Sequence, residues 1–261
     1  MQQTRQPAVA GMFYPADKHL LQSVIQGYLD HAIPTGGLPK AIIAPHAGYV
    51  YSGPIAASVY ARLGQGRGLV KRVVLLGPSH RVGFRGCALS SAVWFATPLG
   101  EIPIDTEAFK RLEGLPFVLQ LDQAHAQEHS LEVHLPFLQQ VLGSFSLVPI
   151  VVGDAAPEEV AALLDALWGG DETLIVISSD LSHYHGYATA QRMDRATSEA
   201  IVAMCPDNIS FEGACGRLPV SGLLLAAKKR GMKAETIDLR NSGDTAGSKD
   251  RVVGYGAYAF E

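Results

Sequence analysis

The chain has 261 residues, 48% of them hydrophobic and only 18% charged, against about 25% charged in an average soluble domain. A composition this lean in charge argues for a large buried interior and excludes a disordered polymer, which needs low hydrophobicity and high net charge. The formal net charge of −4 comes with no basic block of five or more residues, which argues against sequence-independent nucleic-acid binding.

No apolar run approaches the roughly 18–20 residues of a membrane span. The opening stretch MQQTRQPAVAGMFYPADK lacks the apolar core of a signal peptide, so the expected compartment is the cytoplasm. Three cysteines, Cys87, Cys205 and Cys215, are too few and too scattered for a disulfide framework or a Cys-rich zinc site.

In chain order, residues 17–32 are predicted helical, with Asp17 as cap and Leu20, Leu21, Val24, Ile25, Tyr28 and Leu29 on one face. Pro34 and the Gly36-Gly37 pair end that helix. The run 40–45 (KAIIAP) reads as a strand and 53–63 as a helix. Next, 72–77 (RVVLLG) has the apolar, β-branched make-up of a strand buried on both faces of a parallel sheet. Helices are predicted at 130–142, 157–168 and 187–204, the second with Pro157 in its first turn. Strands are predicted at 146–152 (SLVPIVV) and 173–178 (TLIVIS). A helix near 219–230, a strand at 233–239, a polar loop and a strand at 251–260 complete the pattern.

This alternation predicts one α/β domain over 1–261, a three-layer unit whose mainly parallel or mixed sheet carries helices on both faces. The runs at 40–45, 72–77, 146–152 and 173–178 should be neighbours in one sheet. No internal repeat is present, and the stretches 34–39 and 64–71 are too short to separate a pair of cores.

Ligands of open α/β sheets bind beyond the carboxyl ends of the strands. His46 ends KAIIAPH and His80 ends RVVLLGPSH; Asp180 and His183 lie just past TLIVIS, and Asp244 lies in RNSGDTAG after the 233–239 strand. Neutral imidazole suits Zn, Fe, Cu or Ni, and two His with one carboxylate on one side of an ion is the ferrous oxygenase pattern. His46, His80 and Asp244 are therefore the expected metal ligands. Asp180 either caps the next helix or orients His183 as an acid/base near neutral pH.

A second cluster, HAQEHSLEVHLP, holds His125, Glu128, His129, Glu132 and His134. It is not the zincin motif, which needs two His four apart on one helical face; His129 and His134 are five apart. Ser130 is expected near a helix start, and Glu128 or His129 just before it to hydrogen-bond a ligand imidazole. Tyr49 and Tyr51 either cover a substrate or pack on the rim. Cys215 stands at a helix entrance with no partner evident and is read as structural. No GxGxxG, P-loop or GxSxG occurs, which argues against nucleotide cradling and α/β-hydrolase chemistry.

The set RQPAVAGMFYP, APHAGYVYSG, GPSH, EHSLEVHLPFLQ, SSDLSHY and RVVGYGAYAF resembles, in order and over essentially the whole chain, the Memo family. Its bacterial and archaeal members are called AmmeMemoRadiSam system protein B. The resemblance implies a fold related to class III extradiol dioxygenases of the LigB type, with a non-haem metal site. In that pattern His46 and His80 match the first two ligands, and Asp180 and His183 the partner pair. Animal members carry a cysteine in the loop before the strand at the C-terminal end. Counting back without gaps from Val253-Gly254-Tyr255 puts Thr245 at that place, next to Asp244.

The implied cofactor is a divalent metal, Fe(II) first, with Zn or Cu as alternatives. Three functions stay open: a dioxygenase-like oxidoreductase acting on a small or modified substrate, a peptide- or protein-binding module with a vestigial metal pocket, and a metal-dependent hydrolase. The family name implies a radical-SAM protein and an AMMECR-type protein as partners, and neither nucleic acid nor a membrane is expected.

Overall fold

The four apolar runs become the strands Ala41–Ala44, Arg72–Pro78, Ser146–Val152 and Thr173–Ser178. In the computed structural model, which describes residues 3–261, these strands lie side by side and parallel, in the order 41–44, 173–178, 72–78, 146–152. Met1 and Gln2 of the expected domain lie outside the described residues.

Side chains alternate across a strand with a period of two, and here both faces are covered. Ile42, Val73, Leu75, Leu147 and Val176 pack into one apolar cluster, while Ile43, Val74, Leu76, Val148 and Ile177 pack into the other. Antiparallel strands extend the sheet: Val252–Phe260 against 41–44, and Cys87–Leu89 against 146–152. Further strands, Ala234–Asn241, His183–His185 and Val118–Gln120, bring this mixed sheet to nine. A separate three-stranded sheet joins Thr4–Arg5, Trp94–Thr97 and Gly100–Pro103.

Helices Lys18–His31, Tyr49–Tyr60 and Leu135–Leu142 cover one face, and Pro157–Leu167, Tyr187–Val202 and Arg217–Lys229 the other. The chain is thus one α/β domain with helices on both faces. Asp17 caps the first helix, accepting from the Leu20 N–H at 2.8 Å. Pro157 opens its helix where a missing N–H costs nothing. Among the described residues, no helix is long and apolar enough to cross a membrane.

Two helix starts differ from the sequence reading. The helix expected from 53 begins at Tyr49, because the Phe13 carbonyl takes the Tyr49 N–H at 2.7 Å and supplies a cap from a distant segment. Ser130 starts no helix: its hydroxyl donates to the Pro78 carbonyl at 2.8 Å, and the regular helix begins only at Leu135, after a short turn at Glu132–His134.

The N-terminal segment is fastened to this same region. Buried Glu132 pairs with Arg5 and accepts the N–H groups of Ala8 and Val9 at 2.7 and 2.9 Å and the Tyr14 hydroxyl. Arg5 also donates to the carbonyls of His125 and Glu128, at 3.1 and 2.6 Å. The loop that carries Glu128 and His129 is therefore held from the outside by the first residues of the fold.

Candidate metal centre

Three of the parallel strands end on one cavity of about 630 Å³, lined by His46, His80, His129, Asp180 and His183, with Tyr51, Tyr184 and Arg251 at its mouth. A cavity of similar size beside Tyr28 and Pro54 holds none of these histidines.

His46 follows the strand 41–44, and its ring Nδ1 lies 2.6 Å from the Ser178 hydroxyl. That hydroxyl donates its proton to the Ser130 carbonyl at 2.6 Å, so its oxygen can only accept from the imidazole. Nδ1 therefore carries the hydrogen, and Nε2 keeps a lone pair. His80 follows the strand 72–78, and its Nδ1 lies 2.9 Å from Glu128 Oε1. A carboxylate accepts only, so in the neutral ring, the form that binds metal, Nε2 is left with the lone pair here too.

Glu128 is more than an orienting group. It also accepts the N–H groups of His80 (2.6 Å), His129 (2.8 Å) and Ser130 (2.9 Å). Burial pushes its carboxyl up, but the His80 ring and these N–H groups outweigh burial and hold it down at about 2.

Three imidazoles meet here. The His46 centroid lies 5.1 Å from that of His80 and 5.4 Å from that of His129, and the His80 and His129 rings stack at 4.6 Å. Burial, with added repulsion among the rings, holds His46 well below its ordinary range and His129 at about 4. Both are neutral at pH 7, the form that binds metal. His129 Nδ1 is buried without a hydrogen-bond partner.

Two glycines let the pieces meet. A Cβ on Gly77 would stand 2.8 Å from Ser130 Oγ, and one on Gly216 only 2.5 Å from the Ser178 carbonyl oxygen. The first brings the Glu128–Ser130 loop against the strand 72–78, and the second brings Cys215 against the end of 173–178.

A family model described as Memo-like protein matches residues 5–259. The chain belongs to the Memo family. It is 37% identical to a MEMO1 family protein of Methanopyrus kandleri, over 98% of each chain, and 38% identical to one of Aeropyrum pernix, over 97% of this chain and 98% of the relative. Among solved structures, an uncharacterized protein of Escherichia coli K12, JW3007, has the same fold at a TM-score of 0.51 and 12% identity, covering 82% of this chain and 98% of that one.

In this Memo protein one nitrogen each of His46 and His80 and the Cys215 sulfur lie within 4.8 Å of one another, as do donor atoms of His80, Glu128 and His129. Neutral imidazoles and a sulfur are donors that suit iron, zinc or copper, so the residues present fit a first-row metal.

Asp244 is not brought to the two histidines, and the expectation that it faces them is corrected. Its strand ends on the right rim, but its side chain is exposed and taken up locally: it accepts the Asn241 N–H at 3.0 Å and the Tyr187 hydroxyl. Neighbouring Thr245 donates to the Tyr51 carbonyl at 2.9 Å and is also outside the cavity lining. Tyr49 is buried in the core with its hydroxyl on the Val133 carbonyl (2.8 Å), whereas Tyr51 lines the cavity.

Asp180 caps no helix, since the next one begins at Tyr187 with Gly186 as its cap. It is buried, and its Oδ1 accepts the His46 N–H at 2.8 Å. Burial pushes its carboxyl up to about 7, against the pull of the His46 N–H. His183 shares the cavity, and burial lowers its pKa. No hydrogen bond joins the two side chains among the described residues, so Asp180 orients the His46 loop, not the His183 ring. Next to His183, Tyr184 has φ 61°, a backbone region costly for a bulky residue and frequent at functional sites. Arg251 stands over its ring at 5.5 Å.

Sequence reasoning undervalued Cys215, whose sulfur lies 3.4 Å from His46 Nε2 although 169 residues separate them. The only signal in the sequence was a thiol at a helix entrance. Ser178 was also missed as the partner that fixes the His46 tautomer; its place at the end of a buried strand was the available clue.

Proposed function

We propose that the protein is a metal-dependent oxidoreductase of the dioxygenase type, with ferrous iron as its metal, acting on a small or modified substrate in the cavity above the histidines. The observation that carries this reading is the pair of fixed tautomers. Ser178 and Glu128 occupy the Nδ1 sides of His46 and His80, so both lone pairs are left on Nε2, and the cavity walls bring the two rings together. Orienting partners of this kind, on the far nitrogen of a ligand imidazole, are characteristic of metal centres.

Ferrous iron held by a few protein donors with open positions supplies the redox chemistry by which dioxygen is used on an organic substrate. The chain's own groups do the rest. His46 and His80 hold the ion. Asp180, poised at about 7, and His183 hold or move a proton at the cavity floor, where a group titrating near the working pH is most effective. Tyr51, Tyr184 and Phe13 offer flat apolar contact, and Arg251 offers a positive charge to an acidic substituent at the mouth.

The test is anaerobic loading with Fe(II), metal analysis, and oxygen uptake against a panel of phenolic and carboxylic substrates. The parent should bind one iron per chain, and His46→Ala and His80→Ala should lose it. His183→Ala should keep the metal and lose about 10²–10⁴-fold in turnover. A parent that takes up no iron, zinc or cobalt refutes the reading. Metal uptake with ester hydrolysis and no oxygen use would replace it with a hydrolase.

A further inference from the structure

We infer that Asp194 is the positioning residue for His183: its carboxyl, carried by the helix Tyr187–Val202, holds the Ser182 N–H and so fixes the bulge that turns the His183 ring into the cavity. The inference rests on the proposed role of His183 and names the group that keeps it in place, a duty that Asp180 does not perform.

An aspartate is an unexpected residue at this place. Asp194 lies in the middle of its helix and is only 3% exposed. Aspartate is a poor former of helix interiors, and a buried carboxyl is costly unless it is hydrogen-bonded. Its Oδ1 accepts the Ser182 N–H at 3.0 Å. Gly254, in the strand Val252–Phe260, makes the room, since a Cβ there would run into the Asp194 carboxyl.

Helix, glycine and serine therefore form one joint. Gly254 donates to the Ser182 carbonyl and accepts the Leu181 N–H, both at 2.8 Å. Both backbone groups of Ser182 are thus occupied, one by the helix and one by the strand.

The joint restrains the bulge beside it. His183 pairs with Val253 and His185 with Val252, so Tyr184 is the extra residue, and its φ of 61° is unfavourable for a bulky side chain. The Tyr184 side chain is exposed, so core packing does not hold it there. A strained residue persists only where its surroundings over-determine it. On the C-terminal side the His185 pairing and the Tyr187 N–H on the Lys249 carbonyl at 3.2 Å fix the chain. On the N-terminal side the Asp194 joint does so.

The consequence is visible in the cavity. Consecutive residues of a regular strand point to opposite faces, yet His183 and Tyr184 both line it. Only the bulge permits this, and re-aiming a side chain is what bulges beside functional sites do. Without Asp194, Ser182 loses its tie to the helix, Tyr184 can relax, and the His183 ring is free to leave.

Nuclear magnetic resonance of the metal-free protein tests this without reference to activity. Burial, with repulsion from His80 and His185, holds the His183 ring below its ordinary range. In Asp194→Ala the ring should gain solvent, and its pKa should rise by about 0.5 or more toward the ordinary 6.5. The Ser182 amide should exchange at least about tenfold faster. Loss of a negative charge alone would move the ring in the opposite direction, so the sign separates positioning from electrostatics. Asp194→Asn, which keeps an oxygen of the same shape for the Ser182 N–H, should return both readings close to those of the parent. Asp194→Ser, whose hydroxyl ends one bond short, should behave as Asp194→Ala and decides the point if that variant does not fold. A His183 pKa that stays or falls in the folded Ala or Ser variant overturns the inference. So does an Asn variant whose Ser182 amide is as open as that of the Ala variant. A protein that uses no oxygen would overturn the proposed function and leave these readings intact.

Discussion

Replacing Glu128 by Gln keeps the shape of the side chain and removes its charge. In the folded protein the carboxyl titrates at about 2, against an ordinary value of 4.5, a drop worth about 3 kcal/mol of stability at 1.36 kcal/mol per unit. The hydrogen bonds give a similar figure independently. Oε1 accepts three donors and Oε2 one, so an amide placed to satisfy the first three turns its NH₂ against the His80 N–H. One buried donor left unsatisfied costs about 1–3 kcal/mol, more where the lost partner was charged.

Because the folded value is depressed, the contribution is complete above 4.5 and disappears as the pH falls through about 2. Urea unfolding followed by fluorescence of Trp94 and Trp168 reads it directly. At neutral pH the midpoint of Glu128→Gln should fall by about 1 M or more, and the gap between parent and variant should narrow in acid. Metal affinity should drop about 10–100-fold, since a neutral amide oxygen on the His80 ring N–H makes the imidazole a weaker donor to metal than a carboxylate does. A gap under about 1 kcal/mol at neutral pH, or one that does not change between neutral and acid, would refute the argument.

Glu132→Ala strands Arg5 and the N–H groups of Ala8 and Val9 in a buried place, and should cost about 3–5 kcal/mol in equilibrium unfolding, with the N-terminal segment becoming open to proteases. Gly216→Ala must move the Ser178 carbonyl or the Cys215 turn. It should lower stability by about 1–3 kcal/mol, read from the urea midpoint. Asp244→Asn should leave metal affinity, measured by calorimetric titration, within about twofold of the parent, because its carboxylate serves only its own turn and Tyr187.

The four central strands were legible almost to the residue, because strands buried on both faces must be apolar along their middles, and residues 73–76 and 174–177 are. The strands Cys87–Leu89, Trp94–Thr97, Gly100–Pro103 and Val118–Gln120 were not, since three or four residues cannot display a period. His46, His80, Asp180 and His183 could be placed on one rim because strand direction fixes where a loop emerges. Strand direction does not fix where a side chain turns. Asp244 emerges at the same end, yet the hydrogen bonds of its own short turn point it away. Cys215 arrives from a loop that follows a different helix, and no local pattern connects it with His46.

The strand Val252–Phe260 has a consequence for how the protein is made. Its residues 258–260 are hydrogen-bonded on one side to 41–44 and on the other to 234–241, so a segment translated late is inserted between two that precede it. A growing chain on the ribosome must hold the fully apolar strand Ala41–Ala44 with an open edge for more than two hundred residues of synthesis, a state prone to mispairing. Arg251, Val253 and Tyr255 also complete the cavity wall. A nascent chain can therefore gather its histidines, but it has no finished chamber for a metal or a substrate until this strand has left the exit tunnel.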